Sequence, residues 1–252
     1  RGMPSGTPRG PKTKLLDTLR KHLYPRADKI IAVTDGMAQE LKRDFGINSA
    51  HIAVIPNPVD VAHISDLAKE RMDHHWFQRG AAPVVLAVGR LVPVKDYPTL
   101  LSAFAHLSKK RDVRLVILGQ GELQSHLERL VIDLDIVGKV DFAGFQQNPF
   151  SWMAASAVYV LSSRSEGFPN TLVQAMACGI PVVSTDCPTG PGEILEGGKW
   201  GRLVPVGDAR ALARAICEAL DDPAPPDVRR RVEAFDFEEV ISAYERELAV
   251  AR

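Results

Sequence analysis

Cysteine is scarce: Cys178, Cys187 and Cys217 are the only three in 252 residues. An odd number without C-x-x-C spacing supplies neither a disulfide framework nor a zinc site, and a reducing cytoplasm is the expected compartment. Net charge is absent as well, because 31 Lys and Arg balance 31 Asp and Glu. A bulk electrostatic nucleic-acid binder would be basic, so no nucleic-acid partner is expected. No run approaches the ~18 consecutive apolar residues of a membrane span, and no secretory-signal pattern opens the sequence. A Walker phosphate loop and a Ser-centred nucleophile elbow are also missing. What is there is ordinary globular material, 45% hydrophobic and 25% charged. Its length suits one large domain, or one domain and part of another.

The chain reads as alternating strands and helices. Residues 1–26 are rich in Gly, Pro and basic side chains and are expected to be a mobile segment. They are either solvated or a patch for anionic lipid or an acidic acceptor. Lys29–Val33 and Ile52–Pro56 are short buried strands around a helix that ends at Phe45 before Gly46, one β-α-β unit within 27–60. Residues 61–82 look irregular to weakly helical and form a linker. Its His74-His75 pair is a poor metal site, because adjacent residues point to different sides and no third ligand is near.

From residue 83 the alternation is regular. Strands are expected at 83–88, 113–118, 140–142, 157–161, 181–185 and 201–205, with helices between them and a terminal helix over 236–250. Such a pattern is an α/β, doubly wound, Rossmann-like parallel sheet. Ligands of such sheets bind outside the carboxyl ends of the strands. Gly89-Arg90, Gly119-Gln120-Gly121, Gly144-Phe145 and Glu166-Gly167 all fall on that rim, where glycine lets backbone approach a ligand.

The stretch from Ser163 to Pro191 organises the rest. Glu166-Gly167-Phe168-Pro169-Asn170 is a tight loop. Asn170 is a good N-cap type, Thr171–Ala177 continues with helical spacing, and Gly179 sits where a helix-ending glycine belongs. A carboxylate, a glycine and free N–H groups thus meet at one helix N-terminus, a site for an anion flanked by hydroxyls. Arg90 and Lys95 share one strand-to-helix loop. They are either a pair reaching a diphosphate or surface cations paired with Asp96 or Glu122. Glu166 is either a helix-terminal charge or a carboxylate that binds sugar hydroxyls. Gly119-Gln120-Gly121 starts like a dinucleotide turn, but position 124 is Gln where a third glycine is needed.

In combination these motifs resemble the retaining glycosyltransferases of family four, which have the two-domain GT-B fold. The carriers are Gly89-Arg90-Leu91 with Lys95-Asp96, Leu118-Gly119-Gln120-Gly121, Phe142-Ala143-Gly144, and Glu166-Gly167-Phe168-Pro169-Asn170 through Ala175-Met176-Ala177-Cys178-Gly179-Ile180-Pro181-Val182-Val183. Ala27–Val33 and Val54–Asp60 are similar to the end of that family's amino-terminal domain. The resemblance implies a nucleotide-diphosphate sugar as donor, a glycan or glycolipid as acceptor, and no metal or other cofactor; peripheral contact with the inner membrane face is the expectation from the basic segment 1–26. It implies that Arg90 and Lys95 bind the diphosphate and that Glu166 lies near the donor sugar. Gly89, Gly119, Gly144, Gly167, Phe168, Pro169, Asn170, Thr171 and Leu172 would line the donor site. The family's second Glu, which contacts ribose, is here Gln174, still able to bind hydroxyls but uncharged.

The same resemblance divides the chain. Residues 27–60 end an acceptor domain, 61–82 link, 83–232 form the donor domain and 233–252 cross back. Only the last portion of the acceptor domain is then present, and the chain reads as a fragment. Two other functions remain open from the residues: a nucleotide-sugar-binding module without turnover, and a nucleotide-binding oxidoreductase.

Overall fold

The computed structural model describes Leu19 and residues 23–250; most of the basic segment 1–26 therefore lies outside the described residues. Two parallel sheets are present among them. The smaller pairs β1 (Ile30–Ala32) with β2 (Ile52–Val54), Ile30 lying opposite Ile52. Between them runs α1 (Asp35–Phe45). Thr34 begins this helix by accepting from the Met37 N–H, and Gly46 ends it at φ 66°. Ala32, Ala38, Leu41 and Ile47 are the buried residues of this unit.

The stretch after β2 is more ordered than its composition suggests. Asp60 accepts from the His63 N–H and starts α2 (Val61–Leu67), whose Ile64 joins the second core. A single 3-10 turn follows at His75–Phe77. The His74 and His75 rings do not diverge as expected; they stack with centroids 4.8 Å apart. His74 Nδ1 accepts from the Trp76 N–H and Nε2 lies 3.1 Å from Asp141 Oδ2. The ring also packs edge-on to Phe77 and tilted against Trp152. This pair is therefore an aromatic anchor for the linker. No group of three or more metal-ligating side chains occurs among the described residues.

The larger sheet contains β3 (Val84–Val88), β4 (Arg114–Leu118), β5 (Val140–Gly144), β6 (Val158–Leu161), β7 (Val182–Thr185) and β8 (Arg202–Val204). Their spatial order is β5-β4-β3-β6-β7-β8, all parallel. Continuous apolar runs make these strands because both faces are covered. Alternate residues enter different cores: Val85, Ala87, Leu115, Ile117, Val158 and Val160 face one, and Val84, Leu86, Val116, Leu118, Tyr159 and Leu161 face the other. Helices α3 (Tyr97–Ser108), α4 (Gln124–Asp133) and α8 (Ala209–Asp221) cover the first face. Covering the second are α2, α5 (Pro149–Ala155), α6 (Asn170–Cys178), α7 (Pro191–Ile194) and α9 (Arg229–Val232).

The last helix, α10 (Phe237–Val250), returns to the smaller sheet. Lys29 Nζ pairs with Glu247 Oε2 at 2.8 Å. Just before the helix, the Val59 N–H donates to the Phe235 carbonyl at 2.8 Å, which ties the segment between the two sheets to the end of the chain. No described helix is long and apolar enough to cross a membrane.

Candidate functional site

In this strand order the chain reverses direction across the sheet between β3 and β6. Connections leaving them diverge, and a crevice opens at their carboxyl ends, the position where such sheets bind ligands. The β3 end delivers Gly89, Arg90 and Lys95, and the β6 end delivers Ser163 and Glu166. The crevice is closed at its base by hydrogen bonds between the two loops. The Arg164 N–H donates to the Val94 carbonyl at 2.8 Å, and the Ser162 hydroxyl donates to the Lys95 carbonyl at 2.7 Å.

Asp96 fastens these loops further. It is 3% exposed and left-handed at φ 48°, an uncommon conformation for a residue other than glycine. Its carboxylate accepts from the Thr99 hydroxyl at 2.8 Å and pairs with the Arg164 guanidinium at 3.0 Å. A buried charge satisfied on two sides is tolerated where an unpaired one would be costly.

Lys95 and Glu166 meet directly. Lys95 Nζ lies 2.6 Å from Glu166 Oε1, and the Ser163 hydroxyl donates to the same oxygen at 2.6 Å. This corrects the pairing considered from sequence: the partner of Lys95 is Glu166, while Asp96 takes Arg164. A diphosphate that engages Lys95 must compete with this carboxylate. The exposed Arg90 side chain makes no hydrogen bond or ion pair among the described residues, while its backbone carbonyl accepts from the Val92 N–H at 2.9 Å. The Tyr97 hydroxyl donates to the Gly89 carbonyl at 2.9 Å. Burial, and after it the neighbouring Tyr159 and the charge of Glu166, pushes that phenol well above its usual range.

The loop into α6 leaves several backbone donors open. The N–H groups of Gly167, Phe168 and Thr171 have no acceptor among the described residues, whereas Asn170 N–H donates to Phe168 and Leu172 N–H to Pro169. Donors at a helix start lack intrahelical partners, so these open N–H groups are available to a ligand acceptor. Asn170 is not the N-cap. It is the first helical residue, Pro169 precedes it, and no side chain caps the helix. Its amide oxygen instead accepts from Asn57 Nδ2 at 2.9 Å, a partner far away in sequence. Thr171 Oγ1 accepts from the buried Tyr159 hydroxyl at 2.7 Å. Leu172 is fully buried and supplies packing together with a backbone amide already in use. Gln174, half-buried, makes no side-chain hydrogen bond among the described residues.

Gly119 and Gly121 are required by packing. A Cβ on Gly119, at φ +132°, would lie 2.1 Å from the Gly89 carbonyl oxygen, and one on Gly121 would lie 2.3 Å from the Leu91 carbonyl oxygen. These glycines let the β4 loop press against the β3 loop. The Gly119 N–H also donates to the Gly144 carbonyl at 2.7 Å, so three adjacent loops form one stitched rim. Sequence reading missed Ser163, Thr189 and Asn57 as parts of this site. Ser163 and Thr189 lay inside the organising stretch, but Thr189 and Asn57 act through contacts 23 and 113 residues distant, which no local pattern signals. A cavity of 310 Å³ lined by Pro181, Trp200, Arg202 and Asp222 sits at the amino ends of β7 and β8, on the opposite rim.

Comparison with known proteins agrees with this fold. The family model described as glycosyl transferases group 1 matches residues 82–222, and that described as glycosyltransferase family 4 matches residues 3–63. The lipopolysaccharide core biosynthesis glycosyltransferase LpsE of Rhizobium meliloti is 33% identical over 228 residues, covering 90% of this chain and 63% of that protein. Campylobacter jejuni N-acetylgalactosamine-N,N'-diacetylbacillosaminyl-diphospho-undecaprenol 4-alpha-N-acetylgalactosaminyltransferase is 32% identical over 200 residues, 79% of this chain and 53% of its own length. The chain thus spans between half and two thirds of these relatives. Anabaena HepE, solved in complex with UDP, superposes with a TM-score of 0.84 at 23% identity, covering 94% of this chain and 68% of the other. The six-stranded sheet and its helices are those of GT-B structures. With more than half of its residues matched by the first of these models, the chain belongs to the glycosyl transferases group 1 family.

Proposed function

We propose that the chain carries the donor half of a retaining glycosyltransferase that uses a nucleotide-diphosphate sugar. The observation that carries this reading is that the loop bearing Arg90 and Lys95 meets the loop after β6 through the Lys95–Glu166 pair, while the Arg90 side chain and the amides of Gly167, Phe168 and Thr171 make no hydrogen bond among the described residues. Cations and unpaired N–H groups converging on one crevice match the charge that builds on a departing diphosphate. Stabilisation of that charge is commonly the largest catalytic contribution. As the bond from the sugar's anomeric carbon to the diphosphate breaks, the acceptor hydroxyl bonds to that carbon from the same face. Its proton goes to the departing diphosphate. Glu166 orients sugar hydroxyls, and Gln174 binds ribose hydroxyls without charge. With two cations on the diphosphate, the reaction is metal-independent, so EDTA should leave donor affinity unchanged.

The acceptor is a glycan or glycolipid, in keeping with the relatives named for lipopolysaccharide core and for a diphospho-undecaprenol-linked sugar. A basic amino-terminal segment would bring the chain to the inner membrane face. The test is a thermal-shift screen of nucleotide-diphosphate sugars, beginning with UDP-sugars, since a ligand that binds the folded state alone raises the melting temperature. No shift with any donor at millimolar concentration refutes the reading. Donor hydrolysis above background separates an enzyme from a binding module. An oxidoreductase is disfavoured because the space beside Gly119 and Gly121 is already filled by the β3 loop.

A further inference from the structure

Glu193 lies outside every motif singled out above, yet it joins the two sheets' units at the edge of the crevice. Its Oε2 accepts from the Asp35 N–H at 2.7 Å and its Oε1 from the Gly36 N–H at 2.8 Å. These are first-turn donors of α1, which lack partners within their own helix. A carboxylate there is favoured both by charge-assisted hydrogen bonds and by the helix dipole. The approach is close: a Cβ on Gly36 would lie 2.9 Å from Thr189 Cγ2 and 3.0 Å from Glu193 Oε1.

The contact continues in both directions. Behind Glu193, Arg231 donates to the Ile194 carbonyl at 2.8 Å and to the Glu193 carbonyl at 3.2 Å. Its guanidinium sits 4.7 Å from the centre of the Phe235 ring, and Phe235 packs edge-on against Phe168 of the donor loop. In front, the Thr189 hydroxyl donates to the Glu166 carbonyl. Gly190 is pressed so near the loop that a Cβ would lie 2.7 Å from Pro169 Cδ. Met37, one residue beyond Gly36, places its Cε 3.2 Å from where a Cβ on Gly167 would be. A ring of contacts therefore runs from Glu166–Phe168 through Phe235, Arg231 and Glu193 to the first turn of α1, and back to Gly167.

We infer that Glu193 is a positioning residue for the sugar end of the donor site: its carboxylate holds the first turn of α1 over the Glu166–Gly167 loop. The inference rests on the donor-site reading. Arg90, on the β3 side of the crevice, takes no part in this ring, and Lys95 touches it only through the Glu166 carboxylate. Loosening it should therefore weaken recognition of the sugar more than that of the diphosphate, which keeps both cations and the Thr171 amide.

The experiment is calorimetry of the chain and its Glu193→Ala and Glu193→Gln variants with UDP-glucose, GDP-mannose, UDP and GDP, with melting temperatures to establish folding. For whichever sugar nucleotide the parent chain binds, Glu193→Ala should lower affinity about tenfold while affinity for the matching nucleoside diphosphate stays within about twofold, the scale of one lost charge-assisted hydrogen bond. Glu193→Gln, which keeps one acceptor oxygen, should recover part of the loss, and it carries the test if the alanine variant does not fold. Equal loss for sugar nucleotide and nucleoside diphosphate, or no loss for either, overturns the inference and leaves the donor site standing. A parent chain that binds none of the four probes overturns the donor-site reading and the inference with it.

Discussion

Replacing Lys95 by alanine should have two separable effects. Lys95 Nζ and Glu166 Oε1 are 2.6 Å apart, and their side chains are only 19% and 12% exposed. Removing the ammonium leaves the carboxylate with the Ser163 hydroxyl, 2.6 Å away. Breaking a fully buried pair from one side costs ~3–5 kcal/mol, whereas an exposed pair is worth ~0–1 kcal/mol. With one donor retained and some water access, the expected loss lies between, at about 1.5–2 kcal/mol. For a chain of this size that lowers the melting temperature by about 3–8 °C. Adding Glu166→Gln to Lys95→Ala removes the stranded charge and should restore most of the loss. Arg90→Ala is the contrasting case, because an exposed side chain without a partner contributes within about 0.5 kcal/mol to stability. Both single variants should nonetheless bind a nucleotide-diphosphate sugar about tenfold or more weakly, since each removes a charge-assisted contact to phosphate. Melting curves without ligand and calorimetry with it read the two effects separately. Unchanged donor affinity in both variants would refute the diphosphate assignment. A Lys95→Ala variant that melts like its parent would refute the buried ion pair.

Gly119→Ala should cost about 3 kcal/mol or more, because its Cβ meets a carbonyl oxygen at 2.1 Å in a left-handed backbone. Gly138→Ala, with φ +75° and nothing within 4 Å, should cost only about 1 kcal/mol in urea denaturation. Burial pushes the Cys178 thiol up to about 11 and the Cys187 thiol up to about 12, from an ordinary value of 9.0. The unfolded chain thus releases these protons first, and stability should fall as pH rises from about 9 toward 12, read as a falling urea midpoint. At pH 8 an alkylating reagent should modify half-exposed Cys217 before the buried pair; faster labelling of Cys178 or Cys187 in the folded chain would contradict their burial. His74→Ala should destabilise by about 1.5–3 kcal/mol through lost ring packing and hydrogen bonding. Donor affinity should not change, because His74 and Asp141 lie at the amino end of β5, away from the crevice.

Element identity was legible because apolar runs of strand length alternate with helical spacing over the whole of residues 83–221. Asn148 shows why local chemistry could be trusted there: its side chain accepts from the Phe150 N–H as a helix-starting residue should. Asn170 shows where that inference stops. It has the same residue type but is the first residue of its helix and not the one before it, and its side-chain oxygen is occupied by Asn57, 113 residues earlier. The rim glycines make the same point. Their presence at strand ends was plain, yet Gly119 and Gly121 serve the packing of one loop on another, and nothing in a linear pattern distinguishes that from room for a ligand.

The sequence by itself determined the strands, the helices and the residue types available at the strand ends, because hydrophobic periodicity and turn chemistry are properties of neighbouring residues. Tertiary structure alone decided the pairings. The β3–β6 adjacency brings Lys95 against Glu166 across 71 residues, and Glu193 reaches α1 across 157 and 158. Contacts of that range depend on how the sheet is ordered in space. Many side chains of suitable charge compete for each partner, and only the packed backbone selects one.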